Sequence, residues 1–265
     1  MKILPNIIIL FIGVIPSLIK AQIKNLRFFG LWLGAGPQVN ILDFRSTLII
    51  PTGLPDLTLN DGVQAFWPGL EPSQCNSVFQ NVITNGDTVG EWSQLPFYCC
   101  NPGVGLSPKV RVYAEDRVTN TFALNENTLK WYNTYTITPG AAGDAAGQKI
   151  FTNSFEFDPN TIAADHTTFG EQYTSALMTI ELQGNSNWTW GPVEWRDILL
   201  RANTTETSWS NPERRPGLQL QVLATCSLDF RELNYLLYCT NVLLVSNNSI
   251  TVSSQGSISY ASAKA

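Results

Sequence analysis

Between its turns the chain alternates apolar and polar residues with a period of two. In TLKWYNTYTIT, Leu129, Trp131, Tyr135 and Ile137 fall on one face, and Lys130, Tyr132, Thr134 and Thr136 on the other. That alternation predicts a half-buried strand. Comparable runs are STLII (46–50), KVRVYAED (109–116), KIFTNSFEF (149–157), ALMTIELQG (176–184), LQLQVLAT (218–225) and SITVSSQGSIS (249–259). Many are rich in valine, isoleucine, threonine and aromatic residues, which suit a pleated, half-buried surface. Residues 139–148 read as a loop and 211–217 as a turn. Amphipathic segments of helical length are scarce. The candidates are Val193 to Asn203, which also reads as a strand, and Leu228 to Tyr238. So many strands without crossover helices predict an all-β fold, an antiparallel two-sheet sandwich of the jelly-roll kind. No repeat or linker divides the chain, so residues 22–265 are expected to form one domain.

The first 21 residues read as an address. Lys2 precedes an apolar run from Ile3 to Ile19, and the small Ala21 offers a cleavage point before Gln22. This is the form of a secretory signal peptide. A membrane anchor fits less well, because Pro5 and Pro16 interrupt the run and no polybasic flank follows it. The expectation is a secreted, extracellular protein, free of the membrane once the signal is removed. Removing Lys2 and Lys20 takes the formal charge from -5 to about -7, which argues against nucleic acid and anionic membranes as partners. Charged residues make up only 14% of the chain, so its surface leans on hydroxyls and amides, as suits work in acid. Asn187, Asn203 and Asn247 each open a glycosylation triplet, as expected of a secreted chain. The five cysteines, Cys75, Cys99, Cys100, Cys226 and Cys239, allow two bridges and one leftover thiol in an oxidising compartment. Cys226 and Cys239 flank a short apolar segment and are placed to staple neighbouring strands. The pairing of the other three stays open, although adjacent cysteines such as Cys99 and Cys100 seldom bridge each other. A monomer is expected.

The single histidine, His166, narrows the chemistry. A Ser-His-Asp hydrolase would have to use it, yet it stands in ADHTTFG, which reads as an exposed polar turn. The HExxH zinc motif, paired CxxC sites, GxSxG, GxGxxG and the phosphate loop are all missing from the sequence. An enzyme built from this chain must therefore lean on carboxylates and amides. Glu156 and Asp158 share a strand face in FEFDPN, and their simplest reading is a pair of solvated acids. Eight tryptophans serve either a core or a ligand-stacking cleft. Trp131 reads as core, whereas Trp188, Trp190 and Trp195 surround Glu194 in WTWGPVEWRD and read as cleft lining. A carboxyl crowded by indoles is expected to have a raised pKa and to serve as a general acid/base. Its partner should be an amide, which donates and accepts at once. Gln80, on the apolar run that follows VQAFWPGLE, is the candidate.

Several blocks, in order along the chain, resemble the eqolisin family, the glutamic peptidases secreted by filamentous fungi. GLWLGAG (30–36) is similar to the family's NWAGAV, STLIIPTGLP (46–55) to TFTVPTP, and AFWPGLE (65–71) to AAWVGID. CNSVFQ (75–80) resembles CQTAILQTG, GEWSQLPFY (90–98) resembles WYEWYPDY, and GPVEWRD (191–197) resembles AEWIVED. The resemblance implies two long curved sheets with a substrate groove on a concave face. It implies Gln80 and Glu194 as a dyad that activates water on a peptide carbonyl, with no metal and no cofactor. Trp67, Glu91 and Trp92 would line the site, joined by Trp190 and Trp195. Asn81 and Val82 stand where the family has Thr-Gly, which fits a chain that kept the fold and changed its job. The expected function is thus an acid-acting endopeptidase on polypeptide. The alternative is a concanavalin-like sandwich that binds or cleaves cell-wall polysaccharide through the same aromatic groove.

Overall fold

The structure, a computed structural model, describes residues 26–34, 39–55, 62–73, 77–86, 88–99, 103–158 and 173–204, and the backbone of 220–231 and 234–246. Residues 1–21, read above as a signal peptide, together with His166, Asn247, Cys75, Cys100 and the run 249–259, lie outside the described residues.

Two seven-stranded sheets form. Sheet A runs β1 (Arg27–Gly34), β11 (Tyr173–Leu182), β3 (Gln64–Pro72), β4 (Val78–Thr84), β5 (Trp92–Cys99) and β6 (Val104–Gly105), with β7 (Val110–Val112) also paired to β5. Sheet B runs β10 (Phe151–Phe157), β9 (Lys130–Thr138), β8 (Arg117–Asn125), β2 (Ile41–Ile49), β12 (Val193–Ala202), β14 (Asn234–Ser246) and β13 (Leu220–Arg231). The strand pairs are antiparallel, and the inner faces of both sheets contribute to one apolar core. The all-β sandwich read from the alternation is the observed fold.

Aromatic side chains join the layers. Phe79 of β4 meets Phe122 of β8 edge-on at 5.1 Å and stacks on Phe157 of β10 at 4.3 Å. A polar link crosses the same core. Asn81 Nδ2 donates to Asn120 Oδ1 (2.8 Å), and Asn133 Nδ2 donates to Asn81 Oδ1 (3.1 Å), with all three asparagines buried. Buried amides left unpaired would each cost about 1–3 kcal/mol, so this set favours one register of sheet on sheet.

Four local readings are settled or corrected. Of the two readings open for 193–203, the strand is observed: Val193–Ala202 is β12. Its inward residues are Val193 and Trp195, then Ile198, Leu200 and Ala202. An irregularity around Asp197, which has φ 49, shifts the phase by one residue, so the apolar spacing imitates a helix. The segment 228–238 likewise spans the β13–β14 hairpin. The loop at 139–148 holds one short helix, α1 (Ala141–Ala145). Leu129 also leaves the strand face assigned to it, and sits 61% exposed in the turn before β9.

Candidate functional site

On β4, Phe79 and Ile83 enter the core, so the residues between them in alternation, Val78, Gln80 and Val82, face away from it. They lie on the outer face of sheet A. Register brings three strands together there. Gly69 of β3 pairs with Gln80 on one side and with Leu177 of β11 on the other. One row along, Thr179 pairs with Trp67, and Ser175 pairs with Glu71. The outer face around Gln80 is therefore built from Trp67, Gly69, Glu71, Leu177, Thr179 and Trp32 of β1.

Gly69 leaves little room for a side chain at this point. A Cβ there would stand 3.0 Å from the Gln80 Cβ and 3.0 Å from the Phe79 carbonyl. Its missing side chain gives the Gln80 amide room on the sheet surface. Trp67 is anchored beside it, since its Nε1 donates to Glu181 Oε2 at 3.0 Å. Gln183 Nε2 takes the other carboxylate oxygen at 2.7 Å. Trp32, Trp67 and Leu177 form a compact apolar patch, against which the half-buried Val78 and Val82 pack. Leu95 and Phe97 of β5 extend the half-buried surface past Gln80.

Two polar atoms on this face are anomalous. Gln80 is 4% exposed and Thr179 is fully buried, yet Gln80 Oε1 and Thr179 Oγ1 have no hydrogen-bond partner among the described residues. Buried polar groups are nearly always paired. Unsatisfied buried atoms also occur in the core, at Ser46, Gln94 and Tyr135, but among the described residues Gln80 and Thr179 are the pair on this outer face.

Glu194 is elsewhere. It lies on β12 in sheet B, where Val193 and Trp195 enter the core and Glu194 faces outward. Gln80 and Glu194 thus stand on opposite outer surfaces, with both sheets and the core between them. The expected dyad is not brought together. The expected crowding by indoles is also absent, because Trp195 and Trp190 are themselves core residues, 0% and 2% exposed. Arg196 instead grips both Glu194 oxygens, through Nε at 2.8 Å and Nη2 at 2.9 Å. The Glu194 hydrogen bond holds the Arg196 guanidinium still further above its ordinary range.

The other expected lining residues divide. Trp67 is on the sheet A face. Trp92 is not: it points inward and packs edge-on against Phe66 (4.9 Å) and Trp190 (5.3 Å). Glu91 precedes β5 and is ion-paired with Arg111 at 2.8 Å. Trp188 is half-buried against Phe29, and Trp131 is core as read from the alternation. Glu156 is exposed and bonded to Lys130 at 2.7 Å, the solvated-acid arrangement. Asn187 and Asn203 are exposed, and the Asn203 side-chain oxygen accepts from the Asn40 backbone N–H. Cys99, ending β5, is disulfide-bonded. Cys226 and Cys239 stand opposite each other in the β13–β14 register. Among the described residues no cluster of three or more His, Cys, Asp or Glu side chains is placed to hold a metal, and no helix is long and apolar enough to cross a membrane.

Sequence reasoning passed over Glu71, Glu181, Leu177 and Thr179. The alternation in QAFWPGLEP did carry a signal for the first, since Trp67, Gly69 and Glu71 fall on one strand face.

The class defined by this geometry is a two-sheet antiparallel β-sandwich with a candidate binding face on sheet A. No family model and no curated protein matches the chain. Among solved structures it is similar to scytalido-glutamic peptidase with a transition state analog inhibitor (14% identity, TM-score 0.48) and with a peptide-based transition state analog (13%, TM-score 0.45). It is also similar to SCP-B, an eqolisin-family peptidase in complex with the tripeptide Ala-Ile-His (10%, TM-score 0.41). Each alignment covers 82% of this chain and 98% of the other.

Proposed function

We infer that this chain is a secreted polypeptide-binding sandwich, which takes an extended polypeptide over the outer face of sheet A at Gln80 and does not hydrolyse it through a Gln80–Glu194 pair. The observation that carries the reading is the buried, unpartnered Gln80 carbonyl oxygen. An acceptor in that state costs about 1–3 kcal/mol until a donor reaches it. A peptide N–H is such a donor. The half-buried Val78, Val82, Leu95 and Phe97 offer apolar contact to the side chains flanking it. Hydrolysis by an amide and an acid requires both within reach of one water. The position facing Gln80 across Gly69 is Leu177, which can neither take nor give a proton.

The test is fluorescence anisotropy of a labelled unfolded polypeptide with the full secreted chain in acid buffer, with electrophoresis of the mixture over time. Binding without cleavage is expected, weakened in Gln80→Leu. Cleavage that disappears in Glu194→Gln or in Glu71→Gln would overturn the reading, as would no binding at all.

A further inference from the structure

The outer face of sheet B carries a second surface of different chemistry. Register aligns Thr47 of β2, Thr119 of β8, Thr136 of β9 and Thr152 of β10 in one row across four strands. The adjacent row is Arg45, Thr121, Thr134 and Ser154. Seven of these eight side chains end in a hydroxyl. Neighbours bond to one another: Thr47 to Thr119 at 3.2 Å, Thr136 to Thr152 at 3.0 Å, and Thr134 to Ser154 at 2.9 Å. A hydroxyl has one donor and two acceptor sites, so each pair keeps capacity for a ligand. Thr119, Thr152 and Ser154 are exposed, and the others apart from Thr47 are half-buried or exposed.

Three cations at the border are ion-paired, and the exposed Arg117 stands in the outward row next to Thr119. Arg45 is held by Asp43 (3.0 Å), Lys130 by Glu156 (2.7 Å) and Arg196 by Glu194 (2.8 Å). Tyr132 lies in the row beyond, between Ala123 and Glu156, and is 40% exposed. Its register partner Glu156 is bonded to Lys130, so the exposed ring stands beside a paired charge at the edge of the ladder.

We propose that this hydroxyl ladder, with Tyr132 as its aromatic platform, binds a neutral β-linked polysaccharide. The chemistry matches on three counts. A neutral sugar polymer carries hydroxyls that donate and accept, as the ladder does. A patch made mainly of hydroxyls, with Arg45, Lys130 and Arg196 ion-paired at its border, suits a neutral chain better than a charged one. Tyr132 offers a π-face to sugar C–H groups. Strand spacing of about 4.8 Å sets the interval between successive hydroxyls within each row, a regular track that an extended chain can follow. A rigid ice lattice is a poorer match, because strands in a sheet twist by about 20–25° from one to the next. Cross-strand threonine pairs also stabilise sheets, so the test separates binding from stability.

The experiment is co-sedimentation of the full secreted chain with insoluble β-glucan, cellulose and chitin. Variants are the triple Thr119→Val/Thr136→Val/Thr152→Val, which keeps β-branched shape, and the single Tyr132→Ala at an exposed site. The wild type is expected to sediment with at least one of these polymers. Each variant is expected to lose about tenfold in affinity, roughly one hydrogen bond or stacking contact or more, with polypeptide binding at Gln80 unchanged. Retention by none of the polymers, or equal retention of wild type and both variants, overturns the proposal. So does inhibition of ice recrystallisation without glycan binding, or a triple variant that loses thermal stability while Tyr132→Ala binds fully.

Discussion

Gln80 and Leu177 face each other across Gly69 on the outer surface of sheet A, the amide on β4 and the aliphatic side chain on β11. This relationship decides what the sheet A face can do. It supplies an amide in a confined, partly apolar place and sets no acid directly opposite. The acid expected there, Glu194, is on the far side of the molecule.

Replacing Leu177 by glutamate would place a carboxyl beside the Gln80 amide. The site is 2% exposed, so desolvation should raise that carboxyl's pKa and favour its protonated form in acid. Leu177→Glu is expected to fold better in acid than at neutral pH, and to gain slow cleavage of unfolded polypeptide there. A chromogenic peptide assay reads the gain. A well-folded Leu177→Glu that shows none would mean that the register alone does not create the catalytic pair.

Gln80→Leu should weaken polypeptide binding by about tenfold while leaving the fold as stable or more so, because it removes a buried carbonyl oxygen that has no partner among the described residues. Gly69→Ala should also weaken binding, since its Cβ would press on the Gln80 Cβ at 3.0 Å. Titration of labelled polypeptide beside thermal denaturation separates the two effects. Full-strength binding by both variants would remove Gln80 from the site.

Glu194→Gln breaks a partly exposed ion pair with Arg196 and should change stability by no more than about 1 kcal/mol, a typical surface-pair effect. Polypeptide binding should match the wild type. A large loss of binding would show that the sheet B face acts on the same ligand.

Asp116 is buried where the start of β8 meets the α1 loop, and accepts from the Tyr113 and Gly140 backbone N–H groups, both at 2.8 Å. Burial pushes its pKa up, against the hydrogen bonds that lower it. The folded state therefore holds this proton more tightly than the unfolded chain does. Its stabilising effect is present below the unfolded pKa of about 3.9 and is lost as pH rises through the higher folded value. Asp116→Asn should lower the melting temperature, since one backbone N–H loses its acceptor, and should flatten the dependence on pH over that window. The stability gap between wild type and variant should narrow as pH rises. A gap that widens would reverse the sign of the assignment.

How much of this was legible along the chain follows from what each signal depends on. Period-two alternation is a local consequence of strand geometry, so β9, β10 and β11 could be read directly, and with them the sandwich. The same rule turned Trp131 inward. It was ambiguous at β12, where the irregularity at Asp197 moved the apolar phase and imitated a helix. The tryptophans around Glu194 misled for a related reason. Closeness in sequence placed Trp195 beside the acid, but adjacent strand residues point to opposite faces, so Trp195 enters the core as Glu194 leaves it.

The order of strands within a sheet depends on distant pairings that leave no local trace. The sequence by itself determined an all-β chain, the two faces of clearly alternating strands such as β9, and the single strand face shared by Trp67, Gly69 and Glu71. Tertiary structure alone decided that β11, not β12, lies beside β3, and so that Leu177 rather than Glu194 meets Gln80. It also aligned threonines from four separate segments into one row. Alternation is set by the backbone within a few residues, whereas the choice of neighbour is set by packing over the whole core.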